Sequence, residues 1–392
     1  MIDPYVVRTK KVLIAGTSPT SVPIIKAVKK QGLSVGVVGG KLDDIGHRIA
    51  DFSHIADYSD WHNVAKIFEE FGYDFLVPTC NDESLMSCSR VAKEHSLPGF
   101  DDLEIAKILQ DKQGFRAKLM GITRHAPKVY WSGSGTVPSN ISVSFPCIVK
   151  PAEASTGKGV EVIYSLPQLD EAVNTAVIAS RNGNIVIESF IKGTLHSASI
   201  FMVDGSPVAT FFVDEYCPDY EFAVSESNHP SKLDNQVREA IVCEISSIVS
   251  ELKLVNGLFH TQVIVNGDDF VVVESMRRCP GDYYGRLIEL STGYPYHESY
   301  ISTYLGKQPL VHDGALEIPI ARQTLTAKES FISSTMRFAS KGHLREFWSM
   351  CWSGKQVSEF PADKQGVGFF YYDDLDTMFS EVGFLLEDNG VI

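Results

Sequence analysis

Apolar residues in the first hundred positions fall alternately into short runs and into helically spaced sets. The short runs, which are typical of buried strands, are Val12–Ala15, Leu33–Val38 and Phe75–Pro78. The segments with helical spacing are Pro23–Lys30, Val64–Phe71 and Ser84–Glu94. Strands that alternate with helices predict a parallel sheet in a Rossmann-like layout. Gly16 follows the first strand without the further glycines of a dinucleotide-binding fingerprint, so nothing in the sequence indicates NAD binding.

Beyond residue 145 the pattern changes to short strands joined by turns. The predicted strands are Cys147–Lys150, Val160–Ile163, Ile185–Glu188, Ser199–Val203, Pro207–Phe212, Leu258–Val265 and Phe270–Met276. Apolar residues on one face predict a helix over Val237–Leu252. The polar and aromatic segment Glu215–Asn235 predicts a long loop, and loops of that length often serve a function.

Composition narrows the class of protein. The chain has 392 residues, of which 44% are hydrophobic and 21% charged, and such a composition excludes intrinsic disorder. A net charge of −14 disfavours nucleic acid and anionic membranes as partners. No apolar run approaches the roughly 20 residues of a membrane span. Seven cysteines without a CxxC pair, and an N-terminus that lacks a secretory signal, predict a cytoplasmic protein with reduced thiols.

A lysine at the end of a predicted strand leads into a loop of small residues. Lys150 ends the strand, and the loop contains Ser155, Thr156, Gly157, Lys158 and Gly159. Small residues let backbone N–H groups approach phosphate oxygens, and two lysines neutralise their charge. The chain has no Walker A pattern. The segment predicts a phosphate-binding loop, with a mobile surface hairpin as the alternative.

Two polar residues twelve positions apart, Gln262 and Glu274, lie on the strands of a predicted hairpin. They share a face only if the loop has an odd number of residues, such as 267–269, because a two-residue turn would place them on opposite faces. Their oxygens suit Mg²⁺ shared with nucleotide phosphates. Arg277 and Arg278 follow directly and suit an anionic substrate. A salt-bridged sheet end is the alternative.

The segment from Val186 to Gly193 runs from an apolar strand into a glycine turn. A backbone of this kind can offer one C=O and one N–H group to an adenine edge, with apolar walls at Ile148 and Phe190. A core strand followed by an ordinary turn is the alternative.

Taken in this order and at these spacings, the motifs resemble the ATP-grasp superfamily. The matching parts are the N-terminal layout, Asp111-Lys112 with Gly121-Ile122, Lys150 with its loop, Glu188–Ile191, and Gln262 with Glu274 and Arg278. The order is similar to that of biotin carboxylase and carbamoyl phosphate synthetase, and is closer to that of the L-amino-acid ligases. The resemblance implies an α/β fold with a Rossmann-like N-terminal domain over 1–105. A two-lobed α+β ATP-grasp domain would follow, with its small lobe over 106–192 and its large lobe over 193–310, and a C-terminal subdomain over 311–392.

The resemblance also implies which residues contact ATP. They are Lys112, Lys150, Ser155, Thr156, Gly157, Lys158, Gly159, Glu188, Ile191 and His196. The lysines at 112 and 150 would contact phosphates, and the loop would close over them. Glu188 and the backbone of Ile191 would hold adenine, and His196 would lie near the ribose or the adenine.

The metal and catalytic residues follow from the same resemblance. Gln262 and Glu274 would bind Mg²⁺, while Lys150 and Arg278 would act in catalysis, the arginine by stabilising an acyl phosphate or a tetrahedral intermediate. Many members have Glu at the position of Gln262, although carbamoyl phosphate synthetase is similar in using Gln. Met276 stands where an Asn ligand is usual, and its thioether does not ligate a hard cation.

The resemblance implies a ligase that joins a carboxylate to an amine or amino acid through an acyl phosphate, with Mg-ATP converted to ADP and phosphate. Its partners would be small-molecule substrates and a second copy of the chain in a homodimer, with neither nucleic acid nor membrane. The alternatives are an ATP-dependent carboxylase-like enzyme, a small-molecule kinase, and a catalytically impaired nucleotide-binding protein, to which Met276 points.

Overall fold

The N-terminal part of the chain forms a parallel sheet with helices on both faces. The computed structural model describes residues 9–134, 137–138, 140–153, 157–314, 316–336, 338 and 340–383. The first strands and helices are β1 (Lys11–Ala15), α1 (Val22–Lys30), β2 (Ser34–Gly39), α2 (Ile45–Ile49), β3 (Phe52–Ile55), α3 (Trp61–Glu70), β4 (Phe75–Pro78) and α4 (Asp82–His95). The strands pair in the order β3-β2-β1-β4, all parallel. The alternation of apolar runs and helical faces therefore predicted the parallel α/β layout correctly but missed α2 and the largely exposed β3.

Two short helices connect this sheet to the rest of the molecule. They are α5 (Leu103–Gln110) and α6 (Lys112–Leu119). Asp111 separates them because its side chain accepts hydrogen bonds from the backbone N–H groups of Gln113 and Gly114, which caps the second helix. This cap places Lys112 in the first turn of α6.

A small antiparallel sheet with its own core follows. Its elements are β5 (Val129–Ser134), β6 (Cys147–Pro151), β7 (Glu161–Ile163), α7 (Leu169–Ala179) and β8 (Asn184–Ser189), and the strand order is β5-β8-β6-β7. Alternate residues of β6 and β8 pack on one face of α7, where Cys147, Val149, Ala172, Ile185 and Ile187 are buried together. The opposite face of β6 carries Lys150.

The largest sheet has eight strands in the order β13-β12-β9-β10-β11-β14-β18-β16. Its strands are β9 (Thr194–Val203), β10 (Ser206–Tyr216), β11 (Glu226–His229), β12 (Gly257–Asn266), β13 (Asp269–Met276), β14 (Ile320–Leu325), β16 (His343–Ser349) and β18 (Gly366–Tyr371). The remaining elements are α8 (Asn235–Glu251), α9 (Tyr284–Thr292), α10 (Tyr296–Tyr304), β15 (Phe331–Ile332), β17 (Gln356–Val357) and α11 (Leu375–Glu381). Strands from the last 80 residues thus extend the same sheet, and the predicted domain boundaries remain predictions.

The expectation of one long loop over Glu215–Asn235 was wrong in two places, because its first two residues belong to β10 and Glu226–His229 forms β11. β10 continues through Tyr216, and β11 pairs antiparallel with it, Glu215 lying opposite Ser227. Both Glu215 and Glu226 are buried. These strands could not be recognised from alternating apolar residues, because the side chains that the sheet buries here are polar and contact polar partners.

The hairpin of β12 and β13 turns at two residues and still brings Gln262 opposite Glu274. Asn266 pairs with Asp269 across the turn, and the register then shifts between Gln262 and Val263. This irregularity adds one residue to β13 and flips the strand face, as a β-bulge does. The hairpin does not have the expected three-residue loop, and the bulge instead brings the two side chains to one face of the sheet.

One apolar core joins the N-terminal sheet to the large sheet. It includes Val12 and Ile14 of β1, Phe211 of β10, and Tyr284 and Tyr300 of the two helices that lie between. In the described part of the chain no helix is both long and apolar enough to cross a membrane.

Candidate active site

A cavity of about 1620 Å³ lies where the N-terminal sheet, the small sheet and the large sheet meet. Every part of the chain contributes to its wall, with Asn81 from the N-terminal sheet, Lys150 from the small sheet, Gln262 from the large sheet and Lys364 from the C-terminal segment. The predicted site residues on this wall are Lys112, Lys150, Gly157, Glu188, Ile191, His196, Gln262, Glu274 and Arg278. Predicted site residues spread over 167 positions, from Lys112 to Arg278, therefore line one cavity.

Three buried charged groups occupy the floor of the cavity. Lys150 Nζ donates to Glu188 Oε1, and Arg116 Nε donates to Glu188 Oε2 at 2.9 Å. The guanidinium of Arg116 also donates through Nη2 to the carbonyl oxygen of Val273 at 2.5 Å, while Nη1 is buried without a hydrogen bond to any described residue. Two cations thus share one carboxylate, which leaves an excess positive charge beneath the cavity.

Burial and mutual pairing set the charges of this group. Burial lowers the pKa of Lys150 to about 8, and Arg116 adds to that effect while Glu188 opposes it. Burial alone would raise the pKa of Glu188, but Lys150 and Arg116 together lower it to about 2. At neutral pH the lysine is protonated and the glutamate is ionised. A cation held in this way can turn toward an anion, because Arg116 continues to neutralise Glu188.

The predicted metal residues lie on neighbouring strands of the large sheet. Gln262 faces Glu274 across the hairpin, and Lys112 Nζ lies 3.7 Å from Glu274 Oε1. On the other side, Gln262 Nε2 donates to Glu215 Oε2 at 2.6 Å. Burial, together with the charge of Asp282, raises the pKa of Glu215 to about 7. Carboxylate and amide oxygens are the donor types that fit Mg²⁺.

No cluster of three His, Cys, Asp or Glu side chains that could bind a metal occurs among the described residues. A magnesium site here would therefore rely on the amide of Gln262 and on phosphate oxygens besides Glu274. That arrangement fits a cation that arrives with its nucleotide.

Of the two arginines after β13, only Arg278 reaches the cavity. Its Nε donates to Asp82 of α4 at 2.5 Å, so the side chain bridges the N-terminal and large sheets. Arg277 instead pairs with Asp101 at 2.8 Å, and both side chains are buried away from the cavity. The expectation of two arginines at the site holds for Arg278 only.

The predicted glycine loop is described in part. Ser155 and Thr156 lie outside the described residues. Gly157 approaches the segment after β10 so closely that an added Cβ atom would lie 2.6 Å from the Cβ atom of Phe222, and its φ of +70° suits glycine. Lys158 and Gly159 are not on the cavity wall.

His196 is held by structural contacts on both ring nitrogens. Its Nδ1 pairs with Asp214 at 2.8 Å and its Nε2 with Thr194 at 2.7 Å. The ring still lines the cavity beside Ile191. The role near the ribose or the adenine remains a prediction, as do the other residue roles.

Three residues of the site were missed by the sequence reasoning. Arg116 lies four residues after Lys112 on α6, a spacing that places both on one helix face and that was a usable signal. Glu215 follows an apolar run, and a carboxylate inside such a run needs a buried partner. Lys364 comes from a segment without any motif, and burial with the nearby Arg322 lowers its pKa.

Comparison with known proteins agrees with this geometry. Residues 143–283 match the ATP-grasp domain family. A formate-dependent phosphoribosylglycinamide formyltransferase of Bacillus subtilis is 25% identical over 191 residues, which cover 47% of this chain and 49% of that protein. The match thus spans about half the length of this relative.

Solved structures show the same fold over nearly the whole chain. An L-amino acid ligase from Bacillus licheniformis has a TM-score of 0.79 at 17% identity, covering 97% of this chain and 98% of the ligase. A phosphoribosylglycinamide synthetase from Anaerococcus prevotii has a TM-score of 0.76 at 16% identity, covering 98% and 99%. The predicted fold and the predicted resemblance are both confirmed.

Proposed function

We propose that the chain is an ATP-grasp enzyme that uses ATP with Mg²⁺ and joins a small-molecule carboxylate to an amine. In the proposed reaction a carboxylate oxygen bonds to the γ-phosphorus of ATP and ADP leaves. The amine nitrogen then bonds to the acyl carbon, loses a proton, and phosphate leaves. When bound, Mg²⁺ neutralises phosphate charge during the transfer.

The volume of the cavity carries this proposal. Pockets for one small molecule usually measure about 300–1,000 Å³. The cavity of about 1620 Å³ exceeds that range, so it has room for a nucleotide and a second substrate side by side. The formate dependence in the name of the Bacillus subtilis relative also fits a carboxylate as the activated substrate.

Residues of this chain supply the positioning and the charge. Lys150 and Lys112 would neutralise phosphate oxygens, and Gln262 with Glu274, which lies beside Lys112, would hold Mg²⁺. Arg278, fixed by Asp82, would stabilise the oxyanion of the acyl phosphate or of the tetrahedral intermediate. We further propose that the enzyme works in the cytoplasm, where its seven free cysteines stay reduced, and that it forms a homodimer.

The experiment is incubation with Mg-ATP and a panel of carboxylates and amines, followed by mass spectrometry for ADP and a new amide. Transfer of oxygen-18 from a labelled carboxylate into phosphate would demonstrate the acyl phosphate. We expect Lys150→Met and Glu274→Ala each to lower turnover at least 100-fold, because the first removes a cation that neutralises the transferred phosphoryl group and the second removes a carboxylate that would hold Mg²⁺ beside it. Lys118→Met, at an exposed position of the same helix as Lys112, is the control and should keep full turnover.

Wild-type turnover in either site variant would contradict the proposal. Binding of ATP without release of ADP for any substrate pair would instead favour a nucleotide-binding protein, the candidate that Met276 supports. Release of ADP with a phosphorylated product and no amide would identify a kinase.

A further inference from the structure

The metal site proposed above has one carboxylate ligand, Glu274. Gln262 brings an uncharged amide, and Met276 brings a sulfur atom that does not bind Mg²⁺. Of Gln262, Glu274 and Met276, the three hairpin residues considered for this site, only Glu274 carries a negative charge. The question is which other group makes the site suitable for a divalent cation.

Glu215 lies in the same row of side chains on the large sheet. In that row Ser197 of β9 pairs with Gln262 of β12, which pairs with Glu274 of β13. Glu215 sits on the next strand, β10, diagonal to Ser197. It is 5% exposed and lines the cavity.

The hydrogen bonds of Glu215 orient the amide of Gln262. One carboxylate oxygen accepts from the hydroxyl of Ser197, and the other accepts from Gln262 Nε2 at 2.6 Å. A carboxylate accepts and an amide oxygen cannot donate, so the NH₂ group must face Glu215. Gln262 Oε1, the other polar atom of the amide, makes no hydrogen bond to a described residue and is therefore available as a ligand.

We propose that Glu215 is a positioning residue of the metal site. It holds Gln262 so that Oε1 is offered to the cation together with Glu274, and its ionised form adds a negative charge one hydrogen bond away. The pair of Glu215 and Gln262 takes the place of a single ligating carboxylate. Groups that orient a metal ligand in this way commonly change metal affinity by about 10–100-fold when they are removed.

The test measures Mn²⁺ binding by electron paramagnetic resonance with ADP present and with neither carboxylate nor amine. E215Q should weaken Mn²⁺ binding at least tenfold, because the amide that replaces the carboxylate removes the charge and no longer dictates which way Gln262 turns. The double variant E215Q/Q262E exchanges the two groups. It should bind Mn²⁺ within about threefold of the wild type, since a carboxylate at position 262 ligates directly and an amide at 215 can donate to it.

E226Q is the matched control. Glu226 is also a fully buried carboxylate of the large sheet and also accepts from a glutamine, Gln323 Nε2 at 3.0 Å, but it does not line the cavity. E226Q should leave the Mn²⁺ affinity within twofold of the wild type. Any effect of losing a buried charge on folding alone would appear in both variants.

Unchanged Mn²⁺ binding in E215Q would overturn the proposal. So would a double variant that binds no better than E215Q, because a merely structural carboxylate gains nothing from the exchange. The inference rests on the proposed use of Mg-ATP, yet the titration involves no amide formation. A protein that binds Mn²⁺ as expected and forms no amide would refute the ligase reaction while leaving the role of Glu215 intact.

Discussion

Arg116 explains how a lysine can be buried against a glutamate and still be able to bind a phosphate, the role proposed for Lys150. Lys150 is 5% exposed and Arg116 is 1% exposed, and both contact Glu188. With Lys150 alone, turning the ammonium group toward an anion would leave a buried carboxylate unpaired, which costs several kcal/mol. Arg116 avoids that cost because it stays paired with Glu188. The balance of charge at the cavity floor is thus set by a residue that does not belong to any motif.

At the same scale, a buried histidine should make stability depend on pH. His229 is buried, its Nδ1 pairs with Ser291 Oγ at 2.7 Å, and burial, with a smaller effect of Arg238, lowers its pKa to about 3. The pKa in the unfolded chain is about 6.5. The neutral ring therefore contributes stability that is fully present above pH 6.5 and is lost as pH falls from 6.5 toward 3.

We expect the wild type to lose about 2 kcal/mol more unfolding free energy than His229→Asn between pH 7.5 and pH 5, as measured by urea unfolding. Asparagine keeps a hydrogen-bonding side chain but does not titrate in this range. The exposed His62, replaced by Asn, is the control and should leave the pH dependence as in the wild type. Parallel pH profiles for wild type and His229→Asn would refute the prediction.

The individual site residues could be predicted from the sequence where they stand in local patterns. Lys150 lies near the end of a strand before a glycine loop, so it was recognised from a local pattern, whereas Lys112 was recognised only through the family resemblance. The contact of Arg116 with Glu188 joins residues 72 positions apart. Only the docking of α6 against the small sheet brings them together, and no local pattern contains that information.

Among the elements, the hairpin of β12 and β13 shows how a correct expectation about which residues face each other can rest on the wrong local geometry. Gln262 and Glu274 face each other, but through a bulge and not through a three-residue loop. The bulge lies next to Val273, whose carbonyl oxygen accepts from Arg116. The bulge therefore determines that Gln262 faces Glu274 and also takes part in the contact with Arg116.

The glycine loop should act through its contact with the segment after β10. Gly157→Ala would place a Cβ atom 2.6 Å from the Cβ atom of Phe222 and would also strain a φ of +70°. We expect the loop to move away from Phe222, which opens the cavity and raises the KM for ATP about tenfold, with a melting temperature a few degrees lower at most. Steady-state kinetics and thermal unfolding measure both quantities.

Gly205→Ala separates strain from contact. Gly205 has a φ of +77° in the turn between β9 and β10, and an added Cβ atom meets no atom within 4 Å. This variant should lower the melting temperature to a similar extent and leave the KM for ATP unchanged. Equal effects of the two variants on KM would show that the contact with Phe222 is irrelevant to binding.

On the scale of the whole molecule, two ion pairs and one shared core bind the N-terminal sheet to the large sheet. Asp101 pairs with Arg277 and Asp82 with Arg278, and Val12 packs in the same core as Tyr300. The small sheet contributes no residue to that shared core, and its own apolar residues cluster around α7. Apolar packing therefore joins the N-terminal and large sheets to each other more directly than it joins the small sheet to either.

This division predicts unequal hydrogen exchange. Backbone amides of β6 and β8 should exchange at least tenfold faster than those of β1, because a small separate core opens at lower free energy than the joined one. Adding Mg²⁺ with a non-hydrolysable ATP analogue should slow exchange in β6 and leave β1 unchanged. Mass spectrometry of exchanged peptides measures both. Uniform protection across the three strands would show that the small sheet does not open independently.

The alternation of strands and helices was enough to predict the N-terminal sheet and the α/β class, because period and length of apolar runs determine both. The joining of β14, β16 and β18 to the large sheet was beyond such reasoning. β14 pairs with a strand more than 90 residues earlier, with Ser227 opposite Arg322, and β18 and β16 join the sheet only through β14. Polar and charged residues buried in those strands, Arg322 among them, further hide the pattern.

The cavity wall has consequences for how such a protein diversifies. The proposed phosphate and metal contacts all come from residues 112 to 278, whereas other walls come from Trp61 and Asn81 in the N-terminal part of the chain and from Phe360, Pro361 and Lys364 near the other end. Selection can alter these outlying segments without disturbing the nucleotide machinery. Gene duplicates of this chain would then acquire new acceptors through drift at the two ends, while the middle stays constrained by one reaction.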